Sequence, residues 1–170
     1  MSEIVASGLD TPLSLTMPRG LSAAIQTSRE KENDVIVRLL LGFQLPEHGI
    51  ITVCDVEPGS LKDSQLSDFR RNIGVIYHDG GLISNLDVWD NLTLQFAYFS
   101  GLGKAEIRER GAEVLERVGY KGSIALLPGR LSLFNCMLVA LARAMLSEPD
   151  LLICQSALDG LNREEQKILS

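Results

Sequence analysis

A run of ionisable side chains, Thr27-Ser-Arg-Glu-Lys-Glu-Asn-Asp34, sets Glu30, Glu32 and Asp34 beside Arg29 and Lys31. Carboxylates so placed suit the first turn of a helix, whose positive dipole end attracts them, so the run reads as a charged, solvated turn leading into a helix. Histidine is the side chain best poised for proton transfer or metal ligation near neutral pH. The chain has two, His48 and His78, and neither has a second ligand at metal-binding spacing; His78, followed by Asp79, reads as a surface or interface residue. Gln155 and Ser156 close an apolar run. An amide brings no charge to a divalent cation, and serine is too weak a base to activate water unaided. With His78 they lack an orienting acid and a nucleophile elbow, so they do not make a hydrolytic triad. Cys54, Cys136 and Cys154 sit among apolar residues without paired ligand spacing, which reads as buried free thiols in a reducing compartment. These residue types predict no catalytic group and no metal site.

Alternating strands and helices must position them. Residues 21–26, after the turn at Pro18-Arg19-Gly20, are predicted to form a short buried strand, and residues 35–42 a helix closed by Gly42. Residues 49–56 are β-branched and bounded by turn residues, and residues 72–77 are short and apolar; both predict strands. Over 104–118, Ile107, Gly111, Val114, Leu115 and Val118 share one helical face, while Glu106, Arg108, Glu109, Arg110, Glu113 and Glu116 occupy the wet one. Ser132 is placed to cap a long apolar helix through Leu146. Pro149 then leads into Leu151–Cys154, a continuous apolar run that predicts a strand buried on both faces. The alternation is that of an α/β domain.

Bulk composition narrows the function. The chain has 170 residues, 45% of them hydrophobic, enough for one domain with a sizeable core. A net charge of −6 and the absence of a Lys/Arg run argue against nucleic acid as a partner. The amino terminus has neither the basic nor the long apolar region of a signal peptide. No apolar stretch approaches the roughly 20 residues of a membrane span. A cytoplasmic protein without direct membrane insertion is expected.

Residues 131–162, LSLFNCMLVALARAMLSEPDLLICQSALDGLN, resemble the ABC-transporter ATPase stretch that runs from an LSGGQ signature through V-A-L-A-R-A to the Walker B acids and D-loop. Leu131, Ser132, Val139 to Ala144, Pro149, Leu151, Leu152, Gly160 and Leu161 match at the family's usual ungapped interval. Residues 71–77 resemble the strand entering the Q-loop, and 101–110 the start of the helical subdomain. Residues 80–92, GGLISNLDVWDNL, are similar to the corresponding segment of MCE/Mla-type lipid-transport cassettes. The resemblance implies a P-loop NTPase-like α/β fold with a three-layer sheet. It implies one domain over residues 1–170, with a helical subdomain inserted at roughly 79–147 and a carboxy-terminal truncation at Ser170 that leaves the next strand of the family unmade.

The resemblance also implies ATP and Mg²⁺, but the matching positions do not carry the family's residues. A Walker A loop uses glycines so that backbone N–H groups wrap phosphates, with Lys on the β/γ-phosphates and Ser/Thr on Mg²⁺. Here the glycine positions fall on Thr27, Glu30 and Glu32, the lysine on Asn33 and the hydroxyl on Asp34. One unit-charge contact at about 4 Å is worth roughly 4 kcal/mol at an effective dielectric of about 20. Exchanging a cation for an amide and adding three carboxylates therefore opposes a triphosphate strongly; Arg29 and Lys31 offset part, but neither occupies the lysine position. The Q-loop glutamine aligns with His78, the Walker B aspartate with Gln155 and the catalytic glutamate with Ser156. In the signature Ser132 persists after Leu131, and two glycines become Leu133 and Phe134, side chains expected to obstruct a partner's γ-phosphate. No cofactor is expected to bind.

Three functions follow as expectations. The first is a catalytically inactive subunit that scaffolds or regulates an ABC transport complex, for lipids by the 80–92 resemblance. Its partners would be a membrane permease and an intact cassette or a second copy, with His78, Asp79 and Trp89 at the permease interface, packing in the core or subdomain being the alternative role of Trp89. The second is an active ATPase subunit. The third is a stand-alone interaction module or degenerate remnant.

Overall fold

The computed structural model describes residues 3–169; Met1, Ser2 and Ser170, which belong to the amino-terminal stretch and chain end read above, lie outside the described residues. The chain divides between Arg70 and Arg71 into two units.

The first unit is organised by helix α1 (Glu30–Leu40), and all but the last residue of α2 (Asp63–Arg71) belongs to it. Val35 and Leu39, one helical turn apart, pack with Ile4 and Ala6, and Leu9, Leu13 and Ile51 close around them. The strip carrying Ile4 is held by reciprocal backbone bonds with Leu13 of 2.8 and 2.9 Å. Helix α1 starts at Glu30 rather than at the expected Val35, because Glu30 and Glu32 favour its positive end. It ends as predicted at Gly42, whose φ of +67° lets the Gly42 N–H reach Leu39 O and the Phe43 N–H reach Arg38 O. Arg70 Nε and Nη2 donate to the Leu41 and Gly42 carbonyls at 2.8 and 3.2 Å, supplying cationic partners for the negative helix end.

Two expected strands in this unit are corrected. Residues 21–26 have no regular structure, and Leu21 and Ile25 are exposed. Within residues 49–56 only Val53 and Val56 bridge, across a turn at Cys54 and Asp55 with φ of +50° and +66°. Two successive positive φ values make a tight hairpin turn, which breaks a continuous strand.

The second unit is built on a parallel pair, β1 (Ile73–Ile76) and β2 (Leu151–Cys154), in register from Ile73 opposite Leu151 to Ile76 opposite Cys154. Helices α3 (Val88–Ser100), α4 (Lys104–Arg117) and α5 (Leu133–Leu146) pack on one another, and α5 also packs on β1. A short α6 (Arg163–Leu169) follows. Gly74 permits the α5–β1 approach: a Cβ there would lie 3.0 Å from Ala144 Cβ and 2.9 Å from Leu152 Cδ1. Val88, Leu92, Leu115, Leu138, Val139 and Ala142 form one core cluster. Ile76, Met137, Ala140, Ala144, Ala157 and Leu161 form a second.

The helical readings of 104–118 and 132–146 hold. Ile107, Gly111, Leu115 and Val118 are buried, and Ser132 Oγ accepts the Asn135 N–H at 3.2 Å. Strand β2 is corrected. It is not buried on both faces, since Leu152 and Cys154 are exposed, and among the described residues β1 is its only sheet neighbour. Accordingly the thiols are free but not buried: Cys54 and Cys136 are half-buried and Cys154 is exposed. Among the described residues no helix is long and apolar enough to cross a membrane.

Candidate functional site

The loop before α1 belongs to the first unit. Thr27 Oγ1 donates to Asn33 Oδ1 at 2.8 Å, so Asn33, at the family's lysine position, is turned back onto its own loop. Glu30, Lys31 and Asp34 are exposed, as a solvated turn requires. Glu32 departs from that reading: it is 6% exposed. Its Oε1 accepts the Asp10 N–H at 3.0 Å. Its Oε2 accepts the Ser28 N–H and hydroxyl, each at 3.1 Å, and the Arg29 N–H at 3.2 Å. A buried carboxylate is tolerable only with such donors. The Arg29 guanidinium pairs with the Asp10 carboxylate.

His78, Asp79, Gln155 and Ser156 belong to the second unit and follow the carboxyl ends of its parallel strands, where open α/β sheets place their ligand crevices. The Gln155 N–H donates to Ile76 O at 2.8 Å, carrying the ladder one residue past β2 and burying Gln155. Ser156 follows at φ +49°, a turn geometry uncommon for a residue with a side chain. At the end of β1, His78 and Asp79 are exposed, and Asp79 Oδ1 accepts the Gly81 N–H at 2.9 Å. Arg143 of α5 fixes this turn by donating to Gly81 O at 2.9 Å and Gly80 O at 3.0 Å. Burial pushes its guanidinium pKa down, while nearby Tyr77 and Asp79 oppose that fall. The same turn lies against the first turn of α5, since a Cβ on Gly80 would meet Cys136 O at 3.0 Å. Burial raises the Cys136 thiol pKa, with the Asp79 charge adding to it.

At the start of α5, Leu133 is exposed as expected, but Phe134 turns inward and packs against both core clusters rather than outward. Trp89 packs on the core through one part of its ring and lines a groove of about 360 Å³ with Arg108, Glu116, Tyr120, Lys121 and Ile124. Gly111 admits that ring, because a Cβ there would be 2.8 Å from Trp89 Cη2. Neither His78 nor Asp79 lines the groove. Among the described residues no three His, Cys, Asp or Glu side chains converge as a metal site would require. Sequence reasoning missed Arg143, Asp10 and the burial of Glu32. Arg143 lies inside the matched V-A-L-A-R-A run, which offered a position but no role; Asp10 carried no signal.

A parallel pair backed by a helix, with a capped helix and a clamped turn at its carboxyl end, is an α/β arrangement. The family profile described as ABC transporter matches residues 35–158. The chain belongs to the ABC transporter family. It is 31% identical over 157 residues to methionine import ATP-binding protein MetN 1 of Acinetobacter baylyi, covering 92% of this chain and 44% of that protein. It is 33% identical over 132 residues to MetN of Clostridioides difficile, covering 78% and 41%. The chain thus spans less than half the length of these relatives. Among solved structures it is similar to the dimeric bacterial ABC transporter cassette MJ0796, with a TM-score of 0.84 at 20% identity over 99% of this chain and 79% of that one. It is also similar to cbiO1 of Clostridium perfringens, part of the cbiONQ transporter complex, with a TM-score of 0.81 at 22% identity over 99% and 71%. At these identities the structures establish the fold, that of an ABC ATPase cassette.

Proposed function

We propose that this chain is a non-hydrolysing, cassette-type subunit of an ABC import complex, serving as scaffold or regulator beside a membrane permease. The observation that carries the reading is Gln155, a buried neutral amide followed by Ser156, at the strand end where the family implies a Mg²⁺-binding aspartate and a catalytic glutamate. The residues present do not fit Mg²⁺-ATP: the β2 end carries Gln155 and Ser156 in place of carboxylates for the metal, and in the loop before α1 the Ser28 and Arg29 amides are already taken by Glu32. In this reading the chain acts as one cassette-like domain with its helical subdomain over 79–147. It sits on the cytoplasmic face of the membrane through the permease and pairs with an intact cassette or a second copy.

The relatives' names favour methionine or a related solute as cargo and give the lipid expectation no support. The permease contact is assigned to the Trp89 groove, whose aromatic wall and mixed rim of Arg108, Lys121 and Glu116 suit an amphipathic helix. The exposed His78–Asp79 turn forms a second part of the contact. The test is calorimetry and turnover with millimolar Mg²⁺-ATP, together with affinity capture of the full chain. No heat, no phosphate release and recovery of a permease support the proposal; measurable hydrolysis means an active subunit, and a chain that captures neither permease nor cassette is an independent module.

A further inference from the structure

We infer that the Glu32 carboxylate is a built-in anion that occupies the backbone cradle before α1 and closes it to an external phosphate. This deepens the proposed function and rests on it. A helix cap alone would explain one of the four bonds, the one from the Arg29 N–H at the amino end of α1. It does not explain the Ser28 N–H and hydroxyl on the same oxygen, nor the Asp10 N–H on the other, donated across 22 residues of sequence. Converging backbone N–H groups at a helix amino terminus are the arrangement that grips phosphate. Here they grip an oxyanion supplied by the chain itself, on a residue that is 6% exposed.

The surrounding charges keep it in place. Arg29 directs its guanidinium to Asp10 and its amide to Glu32, tying both acids to one residue. The Asp10 strip is anchored by the packing of Ile4 and Ala6 on Val35 and Leu39. An incoming phosphate would have to displace a carboxylate already held at high effective concentration by its own backbone. The loop contains no glycine that would let a larger anion be wrapped.

The test uses the full-length, isotope-labelled chain, with inorganic pyrophosphate as probe and amide exchange as readout. The wild-type amides of Asp10, Ser28 and Arg29 should be protected and should not shift with millimolar pyrophosphate. Glu32→Gly and Glu32→Ala should each lose about tenfold protection at those amides, the size set by hydrogen bonds to a charged acceptor, and should regain it when pyrophosphate is added. Glu32→Gln keeps the side chain's bulk and one acceptor oxygen, so it should lose protection at only part of the set even where the smaller variants fail to fold. Wild-type amides that respond to pyrophosphate as the variants do would overturn the inference. So would variants that keep their protection, or that lose it without answering to pyrophosphate. Failure here with no wild-type ATP turnover leaves the proposed function standing; turnover by the wild type removes both.

Discussion

Arg143 is the residue on which the turn after β1 depends. Its two donors answer the Gly80 and Gly81 carbonyls, and Gly80 is buried. Arg143→Met keeps an extended apolar stem but strands both acceptors, so it should cost about 2 kcal/mol in urea denaturation, less than the sum of two unsatisfied carbonyls because a desolvated charge is also removed. Gly111 is a second pressure point. A valine there would drive its side chain into the Trp89 ring, at 2.8 Å even for the Cβ alone. Overpacking of this kind costs about 1–3 kcal/mol, outweighing the few tenths gained in helix propensity; denaturation of Gly111→Val measures the balance. Residue types alone identified Ser132 as a cap and Gly42 as a helix stop because both effects act within one turn. The burial of Glu32 was not legible, since its charge predicts solvent and its partner Asp10 is remote in sequence.

At the scale of elements, α5 is where sequence and structure agree most closely, because a long apolar helix between a cap and a proline leaves little choice of ends. The strands fared differently. β1 and β2 were legible as short apolar runs, but a strand needs a neighbour, and residues 21–26 have none in the structure. The 49–56 segment carried strand-forming residues, yet Cys54 and Asp55 adopt the turn. The seam between α5 and its surroundings also sets a pH response. Burial raises the pKa of Tyr120, with Cys136 adding to it, and burial first and Asp79 second raise that of Cys136. Both groups are held protonated in the fold more firmly than in the unfolded chain. Their contribution is complete below the ordinary values, about 8.5 for a thiol and 10 for a phenol, and is lost as pH rises through and beyond them. Melting temperature should therefore fall on the alkaline side from about pH 8.5 upward, and Cys136→Ala should blunt the first part of that fall.

At the scale of the whole molecule, the fold was legible because core positions such as Val139 and Ala140 carry the spacing of the family and are fully buried. The cassette body depends on those apolar contacts, whereas nucleotide chemistry in the family depends on a few polar positions at strand and helix ends. A ligand that binds only the native state raises its stability by RT ln(1 + [L]/Kd), so Mg²⁺-ATP in the millimolar range should leave the melting temperature unchanged if the proposed function holds. A rise of several degrees would reverse that conclusion. Trp89 has one further consequence. It is the only tryptophan, and Tyr77, Tyr98 and Tyr120, the only tyrosines, also lie beyond Arg71. Residues 1–70 are consequently dark at 280 nm excitation: intrinsic fluorescence follows the second unit alone, while backbone dichroism sums the helices of both, α1 included. Recording both through one thermal scan, without any label, tells whether the halves melt as one cooperative body or as two.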